Sequence, residues 1–219
     1  MTAPSGGVLV TGFEPFGGEA VNPSWQVAQA LQGQVIHGWP VVAVQLPCVF
    51  ARAPQVLAQA LAAHQPAWVL ALGLAGSRSA VSIERVAVNL IDARIADNAG
   101  DQPLDQPVLA GGPAAHFSSL PVKALWQALL RAGVPAEVSM TAGAFVCNQV
   151  FYLLMQALAQ RPGVRGGFIH LPPLPEQAAQ HPHSRPLALA QQVAALHTVL
   201  GVLRAPAPEG ELPPAGRTD

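Results

Sequence analysis

The run Trp68-Val69-Leu70-Ala71-Leu72 is apolar at every position. A strand with one face in water alternates apolar with polar. A strand without polar residues is covered on both faces, as the central strands of parallel sheets are. A Gly/Ser loop, Gly73 to Ser79, ends the run. The chain must therefore supply helices for both sides of a sheet.

It does so in alternation. Val8 to Val10 reads as a short strand, and Gly12 to Gly18 as a loop. Asn22-Pro23 starts a helix, with Asn as cap and Pro at the first position; it runs to about Leu31 and stops at Gly33. Val41 to Leu46 is a strand, and Phe50 to Ala63 a helix with Pro54 in its first turn. Glu84 to Ala96 is β-branched and alternating, and Asp97 to Pro113 is a long polar loop. Strand His116 to Leu120, helix Pro121 to Ala132, strand Glu137 to Met140, helix Asn148 to Gln160 and strand Phe168 to Leu171 follow. Leu171 to Ser184 is a Pro/His-rich loop, and Ser184 caps a last helix from Pro186 to about Leu203. The alternation predicts an α/β fold: a single-domain three-layer α/β/α sandwich with a mostly parallel central sheet over residues 1–204. Residues 205–219 form a Pro-rich tail, expected to be disordered.

Charged residues make up only 11% of the chain, against 51% hydrophobic; ordinary domains carry about 25% charged residues. Much of the chain must be buried, or covered by self-association. The net charge is −1 and no basic block exists, which argues against nucleic acid. Uncharged stretches run from Ala20 to Ala51, Ala53 to Ser77 and Val138 to Gln160, but Gln, Asn, Pro and Gly interrupt each of them. None reads as a membrane span, which needs about 20 predominantly apolar residues. With no basic, apolar leader at the start, the chain is expected to be cytoplasmic, where Cys48 and Cys147 stay reduced.

The segment Met140 to Val150 puts Cys147 where a Gly/Ala-rich turn gives way to a helix. Unpaired N–H groups and the positive dipole end favour a thiolate there, so its pKa is expected below the ordinary thiol value. His170 ends the next strand, and a Cys and a His on neighbouring element ends form a nucleophile–base pair. Cys147 also fits a small buried hydrophobe, and His170 a loop cap. Glu84, beside a strand in an apolar region, fits the orienting carboxylate or a surface ion pair with Arg85 or Arg94. Phe13 and Phe16 fit an apolar clamp or packing of their own loop. The loop Thr11 to Gly18 matches no phosphate-binding motif, and Glu14 repels phosphate. His181-Pro182-His183 lacks a partner at metal-ligand spacing, so no metal and no cofactor is implied.

Six collinear segments together resemble one family. They are Val10 to Gly18 with Val21 to Trp25, Gly73 to Arg78, Ile83 to Asn89, Asp92 to Asn98, Ala142 to Asn148 and Gly167 to Pro172. The chain resembles the pyroglutamyl-peptidase I (pyrrolidone-carboxylate peptidase) family of cysteine peptidases. The resemblance implies a Glu84, Cys147, His170 triad acting through a thioester acyl-enzyme. It places Phe13 and Phe16 against the pyroglutamyl ring, with Asn22, Phe145, Val146 and Arg94 as further substrate-binding residues. It implies a peptide substrate with an N-terminal pyroglutamate, no cofactor, and a homotetramer. Ser77 stands where a Gly is expected and Ala96 where a Pro is usual; neither departure removes a reactive group. Two other classes fit the residues alone: a non-catalytic small-molecule binder, and a thiol amidase acting on another lactam.

Overall fold

The computed structural model describes residues 6–204 and Ala215. Among them, nine strands and five α-helices follow in order: β1 (Val8–Phe13), α1 (Pro23–Leu31), β2 (Val35–Ile36), β3 (Trp39–Leu46), α2 (Ala53–His64), β4 (Trp68–Leu74), β5 (Val81–Glu84), β6 (Val86–Val88), β7 (Ala115–Phe117), α3 (Val122–Arg131), β8 (Ala136–Ser139), α4 (Val146–Ala159), β9 (Arg165–Leu171) and α5 (Leu189–Arg204). The expected tail lies outside the described residues, Ala215 apart.

Seven strands form one sheet in the order β2-β3-β1-β4-β9-β5-β8. Strands β3, β1, β4 and β9 are parallel neighbours. β5 runs antiparallel to β9, while β8 runs parallel to β5. The all-apolar β4 is buried at every residue, near the middle of the sheet. Its side chains alternate between two cores. Leu70 and Leu72 pack with α1, α3 and α5; Val69 and Ala71 pack with α2 and α4. That is the three-layer sandwich the apolar run requires. No helix among the described residues is long and apolar enough to cross a membrane.

The same alternation decides which residues meet. On β9, Ile169 and Leu171 point to the α1/α3/α5 side, and Phe168 points to the α4 side. His170 therefore faces α4. On β5, Val81 and Ile83 point away from α4, so Ser82 and Glu84 face it. Ser82 pairs with His170 across the strands, which puts Glu84 diagonal to His170 on one face. Gly73, two residues past Ala71, faces α4 as well, and it pairs with His170.

Local chemistry sets most element ends. Asn22 Oδ1 accepts from Ser24 N at 3.0 Å, Pro23 opens α1, and Gly33 beyond its end takes φ 74°. Three expectations shift. The last helix starts at Leu189, not Pro186. The Ser184 hydroxyl donates to His181 O instead of capping, and Leu187 N is held by Pro173 O at 2.9 Å, which keeps that stretch out of the helix. The alternating segment Glu84 to Ala96 is a strand only at Val86–Val88 beyond the end of β5. Asn148 explains the break: its amide accepts from Val88 N and donates to Val88 O and Leu90 O. A side chain there replaces a neighbouring strand. Finally, α4 begins at Val146 rather than Asn148, so Cys147 lies within its first turn.

Candidate active site

A Gly/Ala-rich turn precedes α4, with Gly143 at φ 79°. The N-cap position falls on Phe145, whose side chain offers no acceptor to the helix. The first N–H groups of α4 have no intrahelical partner. An uncapped helix start departs from the usual local rule, and such departures gather at functional sites. Cys147 is the second residue of this helix.

Its thiol rests against β4. A Cβ added at Gly73 would lie 2.9 Å from Cys147 Sγ. Since Gly73 pairs with His170, the thiol and the imidazole share the end of the β4–β9 pair. Both line one cavity of about 310 Å³. His170, 4% exposed, has Nδ1 2.7 Å from Glu84 Oε1. Glu84 is fully buried, and a carboxylate only accepts, so Nδ1 carries the proton. When the ring carries one proton, Nε2 presents its lone pair.

Arg78, to which the sequence reading gave no role, completes this network. Its Nη1 reaches Glu84 Oε1 at 2.5 Å, and its Nη2 donates to Thr141 O at 2.7 Å. Glu84 thus pairs with Arg78, not with Arg85 or Arg94. Both donors converge on Oε1, while Oε2 is buried without a hydrogen-bond partner. Arg78 ties the carboxylate to the turn that leads into α4.

The Cys147 thiol departs from its expectation. Burial pushes its pKa well up, and Cys48 and Glu84 add to the rise; Arg78 and the residue's own backbone N–H pull the other way. The helix start does not overcome desolvation, so the resting group is the neutral thiol. Its proton needs an acceptor, and His170 Nε2 is the ring nitrogen Glu84 leaves available.

The other sequence candidates separate. Phe16, Phe145 and Arg94 line the cavity, as does Ser77. Phe16 and Phe145 have ring centroids 6.0 Å apart, and Phe50 stands edge-on to Phe145 at 5.1 Å. Phe13, 1% exposed, is not among the lining residues; it packs in the core with its ring 6.5 Å from that of Phe168. Asn22 caps α1, with its amide on Glu14 O, and Val146 is fully buried; neither lines the cavity. Asp97 anchors the aromatic wall by accepting from Phe50 N at 2.8 Å and from Ala99 N and Asp101 N.

Cys48 is buried in the same core, and burial pushes its pKa up to about 12, helped by Glu14 and Asp97. A folded-state value above the unfolded one, about 8.5, stabilises the protein below that pH and is lost as pH climbs toward 12. Between pH 9 and 11, Cys48→Ala should make the fall in unfolding free energy shallower by up to about 1.4 kcal/mol per pH unit. Urea titrations at stepped pH measure that slope; a slope equal to wild type contradicts the assignment.

A family model described as pyroglutamyl peptidase matches residues 7–204. A pyrrolidone-carboxylate peptidase of Klebsiella pneumoniae is 56% identical over 196 residues, 90% of this chain and 92% of the relative. One from Gloeobacter violaceus is 54% identical over 197 residues, 90% of this chain and 96% of the relative. The crystal structure of pyroglutamyl peptidase I from Bacillus amyloliquefaciens aligns with a TM-score of 0.88 at 43% identity, covering 91% of this chain and 97% of that one. A mutant pyrrolidone carboxyl peptidase from the hyperthermophile Pyrococcus furiosus aligns at 0.85 and 40% identity, covering 89% and 96%. The match takes in every element that carries the thiol, the imidazole and the carboxylate: the chain belongs to the pyroglutamyl peptidase family.

Proposed function

We propose that this peptidase removes N-terminal pyroglutamyl residues by nucleophilic catalysis at Cys147. The observation that carries the reading is the shared sheet face. Glu84 holds His170 Nδ1 at 2.7 Å, and His170 pairs with the glycine against which Cys147 Sγ rests. As the scissile carbonyl docks, His170 Nε2 takes the thiol proton and Sγ bonds to the carbonyl carbon. The oxyanion is held by the free N–H groups at the start of α4. The C–N bond breaks, the proton passes to the leaving amine, and a thioester remains. Water, deprotonated by His170, hydrolyses it and frees the thiol. Glu84 keeps the ring in the productive tautomer and stabilises its charged form. Arg78 fixes Glu84.

A pyroglutamyl end is a neutral lactam, and Phe16 and Phe145 give it apolar walls. An unblocked glutaminyl end would bring an ammonium group to that wall, at a cost of several kcal/mol without a partner. A fluorogenic pyroglutamyl amide should be cleaved, and the glutaminyl amide at least about 100-fold more slowly. Comparable turnover of both sinks this reading.

A cytoplasmic homotetramer accompanies it. Val35, Leu104, Phe117 and Met140 are exposed on the single chain and suit cover by other copies. Sedimentation at micromolar concentration tests this; a monomer throughout contradicts it.

A further inference from the structure

The loop between β9 and α5, which carries His181-Pro182-His183, folds back over the Gly73–Ser79 turn. Arg185 N donates to Ser79 Oγ at 2.8 Å. The His181 ring sits directly on Gly76: a Cβ added there would lie 2.3 Å from its Cε1. The loop thereby walls a second cavity of about 420 Å³. It shares Phe16, Leu74, Ser77, Arg94 and Ile95 with the cavity that holds Cys147 and His170. The two adjoin along that wall.

The charges there are unequally engaged. Glu19 is the one carboxylate in the lining, and both its oxygens face side chains of this loop. Oε1 stands 2.8 Å from His181 Nε2 without the geometry of a hydrogen bond, and Oε2 accepts from Gln177 Nε2 at 2.9 Å. Gln177 is itself buried, its Oε1 accepting from Leu174 N. His183 lines the cavity as well. Arg94 is exposed on the shared wall and has no ion-pair partner among the described residues. Asp92 lines the first cavity only. The second cavity therefore offers a guanidinium without an ion-pair partner among the described residues to whatever passes from the first.

We propose that the second cavity seats the peptide chain that follows the pyroglutamyl residue, and that Arg94 there favours chains with a carboxylate two residues past the cleaved bond. The proposal rests on the reading of Cys147 as the nucleophile. A C-terminal carboxylate and an acidic side chain offer Arg94 the same chemistry.

The test compares three peptides: pyroglutamyl-alanyl-alanine, its C-terminal carboxamide, and the carboxamide with glutamate as last residue. The free acid should exceed the plain carboxamide about fivefold in kcat/KM, mostly through KM, as one solvent-exposed charge pair allows. Added salt should shrink the ratio. The glutamate carboxamide should recover the advantage if the site reads any carboxylate; if only the free acid has it, the site reads a chain end. Arg94→Gln should bring the ratios close to one. Gly76→Ala, which drives His181 off its seat, should raise KM for the tripeptides more than for a fluorogenic pyroglutamyl amide. A wild-type ratio near one, or a ratio that survives Arg94→Gln, overturns the proposal while the amide is still cleaved. Loss of all pyroglutamyl turnover in wild type overturns the catalytic reading, and this one with it.

Discussion

Cys147→Ser lowers kcat/KM for a pyroglutamyl amide by about 10³-fold or more, and leaves the melting temperature near that of wild type. Serine keeps the size and the hydrogen bonding of the site. Its hydroxyl, however, is a far weaker nucleophile at neutral pH, and one imidazole activates it less well in a site built for sulfur. General base assistance of the kind proposed for His170 contributes about 10²–10⁴-fold on its own. His170→Ala should therefore fall into the same range, and the double variant should lose little more, because the two groups act as one unit. Cys48→Ser, in the same core but without the imidazole, retains most activity. Steady-state kinetics with circular dichroism as the folding check measures all four. Cys147→Ser within tenfold of wild type would remove the nucleophile assignment.

Gly73→Ala is the second large effect, and it follows from sheet geometry alone. The added methyl carbon would stand 2.9 Å from Cys147 Sγ and 2.8 Å from Phe168 Cζ. Phe168 is fully buried between Phe13 and Phe151. Phe168 is packed on all sides and Cys147 borders the cavity, so the methyl displaces the thiol, strains the ring, or both. A displacement of about 1 Å at a reacting atom costs on the order of 10²-fold in rate. kcat should fall by about that factor, and overpacking of a filled core should lower stability by about 1–3 kcal/mol. A variant with wild-type kcat would mean that Sγ does not react from the position seen against Gly73.

The fold is legible where burial imposes a period. The unbroken apolar run of β4 requires cover on both faces, and Asn22-Pro23 marks the start of α1. The site is legible only in part. Cys147 and His170 advertise themselves by residue type at element ends. Glu84 is visible as a carboxylate in an apolar stretch, but its partner is not. Arg85 is next to it in sequence, yet strand alternation sends adjacent side chains to opposite faces. Arg78 lies six residues back, across a turn whose path no periodicity records. The placement of Phe13 is hidden in a related way. Gly12 reads as the end of a strand, whereas β1 continues to Phe13 and carries its side chain into the core. The thiol shows a further limit, since a helix start is written in the sequence and the depth of burial is not. Only the packed structure sets dipole against desolvation.

That depth bears on how the protein survives between encounters. Peroxides and other small electrophiles attack thiolates, and they do so faster where solvent reaches the sulfur. Cys147, 8% exposed and held protonated by its surroundings, is a poor target for them. In the mechanism proposed above, the proton leaves toward His170 only as a carbonyl arrives to take the electron pair. Burial and the raised pKa thus favour the less reactive form of this sulfur while no substrate is bound, so its reactivity is tied to the arrival of a ligand rather than standing open to solvent.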